Sequence, residues 1–103
     1  MSIKYQIIFW RDIPAQVKIR TADRQRLSRQ LPNRFSVAID ETAMRAELTS
    51  SEDYLAQWRS GEWQQEEGQP EEVADALVTQ LDTNYPPERL RTLIHQFGLE
   101  NIG

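Results

Sequence analysis

The residues best suited to chemistry in this chain lie in two short runs that mix tryptophan with charged side chains. The first run contains Trp10, Arg11 and Asp12, and the second contains Arg59 and Trp63. Tryptophan offers a large apolar surface, and arginine offers a planar fork of N–H donors that matches a carboxylate. These five residues predict a docking surface for an unidentified protein partner, with Arg11 or Arg59 holding a partner carboxylate.

The same residues leave a second interpretation open, in which they line a pocket for a small ligand or a substrate. Asp12 would then act as an acid or base, and Arg11 would hold an anion. The chain offers no fuller catalytic set, because it has no cysteine and only one histidine, His95, with its nearest acidic neighbour on that helix face, Glu88, two turns away. We therefore predict no catalytic residues and favour a non-catalytic interaction module, with the enzyme or ligand-binding domain as the alternative.

The sequence predicts neither a cofactor nor a metal site. Without cysteine, the chain has no thiolate ligand for zinc or for an iron–sulfur cluster. Its four glycines are scattered and cannot form a phosphate-binding loop. The acidic residues between Glu62 and Asp75 lack the alternating ligand spacing of a calcium loop, and we interpret them as a solvated cluster that suits the start of a helix.

Basic residues are concentrated in the first half of the chain. Residues 1–50 contain nine Lys or Arg against five Asp or Glu, whereas residues 51–103 contain three against eleven. A basic stripe could contact phosphates, but a pI near 5.0 argues against nucleic acid as the partner. We expect the stripe to be neutralised by the acidic half, by a second copy of the chain or by a protein partner. Its members are Lys18, Arg20, Arg24, Arg26, Arg29 and Arg34.

The composition is that of a single folded domain spanning residues 1–103. The chain is 39% hydrophobic and 27% charged, which is typical of a globular protein and excludes a disordered tail. Its longest apolar run, Ile7 to Trp10, is far shorter than the roughly 20 residues of a membrane-spanning helix. The absence of cysteine suits a cytoplasmic protein.

Three strands must position the two runs. Alternating apolar residues predict one strand over 3–10 and a second over 15–20, joined through Pro14 as an antiparallel hairpin. A shorter and more polar stretch, 61–66, is predicted as an edge strand of the same sheet.

The alternation in the first strand decides where Trp10 lies. If Phe9 enters the core, Trp10 must point to the opposite face, which also carries Lys18 and Arg20. This orientation would leave Trp10 available to a partner. The alternative is that helices cover this face and that the tryptophans belong to the core.

The remaining apolar residues recur at helical spacing and predict four to five helices, which makes the fold class α+β. Thr21 is expected to cap the first helix, and the polar run of residues 49–51 has the composition of a cap for the third. We predict helices over about 22–31, 34–48 and 51–59, a fourth that starts at Pro70, and a fifth that ends at Gly98.

Three segments within residues 3–85 resemble a bacterial domain family called the virulence-factor domain. They are Tyr5 to Val17, Arg34 to Arg45 and Asp53 to Arg59, and the most specific part is the aromatic-Trp-Arg-Asp-Ile-Pro opening. The family also occurs within longer proteins that carry HEAT-like repeats. The resemblance implies no particular reaction, cofactor or catalytic residue. Because this sequence reaches Gly103 without a helical repeat array, we expect a free-standing module.

Overall fold

A computed structural model of the chain describes residues 2–48 and 50–100. It contains one antiparallel sheet with helices packed against it, so the predicted α+β class is confirmed. The elements, in chain order, are β1 (Ser2–Trp10), β2 (Ile13–Thr21), β3 (Arg26–Gln30), α1 (Asn33–Arg45), α2 (Ser51–Leu55), β4 (Trp58–Ser60), β5 (Gln64–Glu67), α3 (Pro70–Asn84) and α4 (Pro87–His95).

Strand β1 lies at the centre of the five-stranded sheet. One of its edges pairs with β2, which in turn pairs with β3. Its other edge is shared by two short strands, with β5 paired to residues 2–5 and β4 paired to residues 8–10. The predicted hairpin of β1 and β2 is confirmed, but its turn consists of Arg11 and Asp12 alone, because Ile13 and Pro14, which were expected in the connection, already belong to β2.

The helix predicted over 22–31 is wrong, because this segment forms a loop and then the edge strand β3. Leu27 and Leu31 are four residues apart, and that spacing fits two strand periods as well as one helical turn. The Thr21 hydroxyl does accept a backbone N–H, from Gln25 at 3.0 Å, but this bond closes the β2–β3 loop and caps no helix.

The helix predicted over 51–59 is too long, because α2 ends at Leu55 and the chain re-enters the sheet as β4. Ser50 caps α2 by accepting the backbone N–H of Asp53 at 3.1 Å, as the polar run before it predicts, whereas Thr49 lies outside the described residues. The edge strand predicted over 61–66 is found slightly later, as β5.

The other three helices lie where helical spacing predicts them. In α1, the buried face contains Phe35, Ile39 and Ala43, but Met44 is exposed. Pro70 occupies the first turn of α3. After α4, Gly98 adopts a left-handed φ of 77°, which suits glycine because it has no Cβ.

The helices cover one face of the sheet and leave the other face open. Ile3, Val17 and Ile19 are buried on the covered face and share one core cluster with Phe35 of α1 and Leu93 of α4. No helix in the described ranges has the length and apolar character that a bilayer span requires. On the open face, Lys4 and Lys18 alternate with the core residues and are exposed, whereas Ile8 is buried.

Candidate functional site

Trp10 lies in the core, so the prediction that its ring is exposed is wrong. Its exposed fraction is 0%, and its indole N–H donates to the carbonyl of Tyr54 at 3.0 Å. The two rings pack with their centroids 5.7 Å apart. A side chain enclosed in this way cannot form the anchor of a docking surface.

An irregularity in the hairpin explains why simple alternation fails at Trp10. The pairing of β1 with β2 shifts between Ile8 and Phe9, so that Phe9 pairs with Pro14 and Trp10 pairs with Ile13. The extra residue is Ala15 of β2, and such a bulge bends the strand and increases the local twist at the point where β1 reaches Trp10. The sequence did hold a signal, because four consecutive apolar residues from Ile7 to Trp10 indicate a strand end that is buried on both faces.

Arg11 is bonded to the protein itself. It is the first residue of the hairpin turn and has a left-handed φ of 52°. Its backbone N–H and its Nε both donate to Gln57, to the main-chain carbonyl and to the side-chain amide oxygen respectively, each at 3.0 Å. Its Nη1 donates to the carbonyl of Phe97 at 2.7 Å. The guanidinium thus ties the turn to the segments after α2 and α4.

Asp12 has both carboxylate oxygens engaged within the chain. Oδ2 accepts the backbone N–H of Glu100 at 2.8 Å, and Oδ1 accepts Nη2 of Arg59 at 3.0 Å. Its own backbone N–H donates to the carbonyl of Gly98 at 2.8 Å. Asp12 does not line any of five clefts of about 320 to 570 Å³ on the described surface. The geometry therefore gives no support to a catalytic pocket at Asp12.

Arg59 completes this cluster from strand β4. Its Nε donates to the carbonyl of Arg11 at 2.9 Å, and its guanidinium lies 4.5 Å from the centroid of the Phe9 ring. The structure therefore brings together four of the five residues predicted as a docking site. We call Trp10, Arg11, Asp12 and Arg59 the turn cluster, and its contacts join parts of the chain to one another.

Trp63, the fifth predicted residue, lies elsewhere, on the open face of the sheet. It is 37% exposed, and the guanidinium of Arg20 lies 4.6 Å from the centroid of its ring. The two side chains border a cleft of about 320 Å³ together with Lys18 and Arg26. A tryptophan–arginine surface does exist, but Arg20 is its arginine.

The open face also carries a row of three positive charges across three adjacent strands. Lys4 of β1 lies directly opposite Arg20 of β2, and Arg20 lies directly opposite Arg26 of β3. Directly opposed residues have Cβ atoms about 4.5 to 5.5 Å apart, so like charges there repel. A cleft of about 570 Å³ lies over this row. We call Lys4, Lys18, Arg20, Arg26 and Trp63 the basic face.

The basic side chains of this face have no acidic partner among the described residues. The side chains of Lys4, Lys18 and Arg26 make no hydrogen bond or ion pair with any described residue. The Arg20 side chain makes none either, and its guanidinium packs on the Trp63 ring. Elsewhere the acidic half does neutralise the basic stripe, through Arg29 with Asp75 at 3.3 Å and through an ion pair between Arg34 and Asp82.

Sequence reasoning missed Lys4 as a member of the basic face. Lys4 is far from the 17–34 stripe along the chain, and only the pairing of β1 with β2 brings it opposite Arg20. Arg26 was assigned to a helix, where it would not have aligned with Arg20. The alternation of lysine and glutamine with apolar residues in β1 was the available signal.

The other ionisable residues considered in the sequence offer no metal centre. His95 is exposed, and its Nδ1 lies 3.2 Å from Nη2 of Arg45. Within residues 2–48 and 50–100, no three acidic or histidine side chains are grouped so that they could hold a metal ion.

Comparison with known proteins identifies one family. A protein family described as virulence factor matches the chain over residues 8–94, which extends from the last three residues of β1 into α4 and includes the whole turn cluster. A search of curated proteins and a search of solved structures each found no match.

Proposed function

The chain belongs to the virulence factor family, and we propose that it is a non-catalytic protein-interaction module that binds an acidic segment of a partner through its basic face. The family description names no reaction and no ligand, so the proposal rests on the geometry. Of the five residues first predicted as the site, the proposal retains Trp63 as a binding residue. It assigns the four residues of the turn cluster a structural role.

The observation that carries the proposal is the row formed by Lys4, Arg20 and Arg26. Three like charges directly opposed across adjacent strands repel one another, which is an unfavourable arrangement for an isolated sheet. An acidic partner would relieve this repulsion while forming charge-assisted hydrogen bonds. Complementary charge of this kind speeds association and selects the partner.

Trp63 adds an apolar surface and orders one member of the row. Its contact with Arg20 restricts the guanidinium, so that less side-chain freedom is lost when a carboxylate binds. The exposed part of the indole can pack against an apolar residue beside the partner's acidic side chains. Tryptophan and arginine are also the residue types that dominate binding at protein interfaces.

A short acidic polypeptide fits this face better than a nucleic acid does. The face is bordered by acidic residues, since Arg26 shares a cleft with Glu71 and Glu72 at the start of α3. A polynucleotide that extends past the row would meet these glutamates, and the chain carries a net charge of −4. Single-stranded nucleic acid also prefers several stacking aromatic rings, whereas this face offers Trp63.

A labelled hexaglutamate peptide tests the proposal directly. We expect it to bind the chain, to shift the NMR signals of the Lys4, Arg20 and Arg26 backbone amides, and to bind more weakly as salt is raised. Hexaglutamine should not bind. Arg26→Gln should weaken hexaglutamate binding several-fold, because one of the three opposed charges is lost.

The matched control removes the same charge from another surface. Arg91→Gln lies on α4, outside the basic face, and should leave hexaglutamate binding unchanged. Equal weakening by both variants would show that only net charge matters and would overturn the proposal. Tighter binding of a labelled single-stranded oligonucleotide than of hexaglutamate would instead identify a nucleic-acid surface.

A further inference from the structure

A cleft beside α1 combines two aromatic rings with a carboxylate, and it shares no residue with the basic face. It has a volume of about 410 Å³ and is lined by Asp40 of α1, Tyr54 of α2 and Trp58 of β4. Part of its remaining wall is apolar and contains Leu31 and Ile39. The function proposed above makes no use of this cleft.

The two aromatic rings stand nearly at right angles. The centroids of Tyr54 and Trp58 are 6.1 Å apart, and their planes meet at 81°. Tyr54 is also held from behind, because Trp10 packs against its ring and donates a hydrogen bond to its carbonyl. Trp58 is held by the pairing of β4 with β1. The walls of the cleft are therefore formed before any ligand arrives.

Asp40 supplies a negative charge at this cleft. Its side chain is exposed and makes no hydrogen bond or ion pair within the described part of the chain. Burial raises the pKa of the Tyr54 phenol, and the charge of Asp40 raises that pKa further, which indicates that the carboxylate lies near the ring.

We propose that this cleft binds a basic side chain of a partner polypeptide, with the cation against the Tyr54 and Trp58 rings and paired with Asp40. The face of an aromatic ring attracts a cation, and tryptophan does so most strongly. A carboxylate at the same cleft accepts charge-assisted hydrogen bonds, which an arginine fork can donate in bidentate geometry. The inference is independent of the function proposed for the basic face.

A neighbouring groove favours a polypeptide over a free small cation. This groove, of about 490 Å³, shares Asp40 and Tyr54 with the cleft and continues along Ala43, Met44 and Leu48. Met44 is 71% exposed, although it is apolar. A small cation would leave this apolar surface in water, whereas a segment with apolar residues beside its basic residue would cover both.

The probe is the tripeptide acetyl-Leu-Arg-Leu-amide, followed by the NMR signal of the Trp58 indole N–H. Its partner probe carries citrulline, which keeps the shape of arginine but has no charge. We expect the arginine peptide to bind about tenfold more tightly than the citrulline peptide. Asp40→Asn should remove most of this difference, because the paired charge is lost.

Glu41→Gln is the matched control, since Glu41 is an exposed carboxylate of the same helix that lines neither the cleft nor the groove. It should leave the tenfold preference unchanged. Equal binding of the two peptides, no shift of the Trp58 signal, or an equal effect of both variants would each overturn the proposal. Choline binding as tightly as the arginine peptide would show that the cleft takes a small cation and would overturn the polypeptide assignment.

Discussion

The turn cluster and the basic face use the same residue types in opposite ways. In the turn cluster, Arg11 and Arg59 donate to carbonyls, to an amide and to a carboxylate of their own chain. On the basic face, Arg20 and Arg26 oppose each other and have no acidic partner in the described structure. Tryptophan follows the same division, because Trp10 is enclosed and Trp63 is partly exposed.

This difference shows that residue type alone does not distinguish a side chain that holds the fold together from one that is available to a partner. The turn cluster lies where β1 ends and where the segments after α2 and α4 meet it, so its donors find backbone acceptors nearby. The basic face lies on the open side of the sheet, where neighbouring backbone groups already bond one another. Its basic side chains make no ion pair with a described acidic residue, although Arg26 shares a cleft with Glu71 and Glu72.

The largest difference between the two regions is expected when each tryptophan is replaced by alanine in turn. Trp10→Ala should lower the free energy of unfolding by about 3–5 kcal/mol, because it empties a large volume of the core and removes one of the two hydrogen bonds to the Tyr54 carbonyl. Trp63→Ala should lower it by less than about 1 kcal/mol, since only the Arg20 contact and partial packing are lost. Urea denaturation measures both variants, and similar losses would contradict the division.

A smaller effect is expected where the end of α4 closes on the turn. Gly98→Ala places a Cβ 3.2 Å from a methyl carbon of Thr42 and 3.3 Å from Arg11, at a residue with a φ of 77°. We expect a loss of about 1–3 kcal/mol of unfolding free energy from this strain. Hexaglutamate binding should be unchanged as long as the variant is folded. A weaker complex would show that the turn cluster and the basic face are coupled.

The ion pair of Asp12 with Arg59 should contribute less still. The side chains are 30% and 51% exposed, respectively, so solvent screens their attraction. A double-mutant cycle of Asp12→Asn and Arg59→Gln should give a coupling energy of about 0.5 kcal/mol in thermal or urea unfolding. A coupling of zero would mean that the backbone bonds of the turn hold the cluster without the charges.

The sequence predicted most of this scaffold but little of the surface proposed to bind a partner, for identifiable physical reasons. The hairpin and the helix beginning at Pro70 follow from clear apolar periods, and they are found as predicted. The strand β3 was missed because Leu27 and Leu31 satisfy both the helical and the strand period. The row of charges on the basic face depends on strand register, which one sequence without its pairing does not reveal.

The smallest expected effect has the opposite sign. Arg26→Gln should raise the free energy of unfolding by a few tenths of a kcal/mol at low salt, because it removes one directly opposed like charge. Added salt screens the same repulsion, so it should stabilise the wild-type chain more than the variant. Urea unfolding at low and high salt measures both quantities. If Arg26→Gln were destabilising at low salt, the attraction of Arg26 to Glu71 and Glu72, which share a cleft with it, would exceed the repulsion, and the basic face would resemble the turn cluster after all.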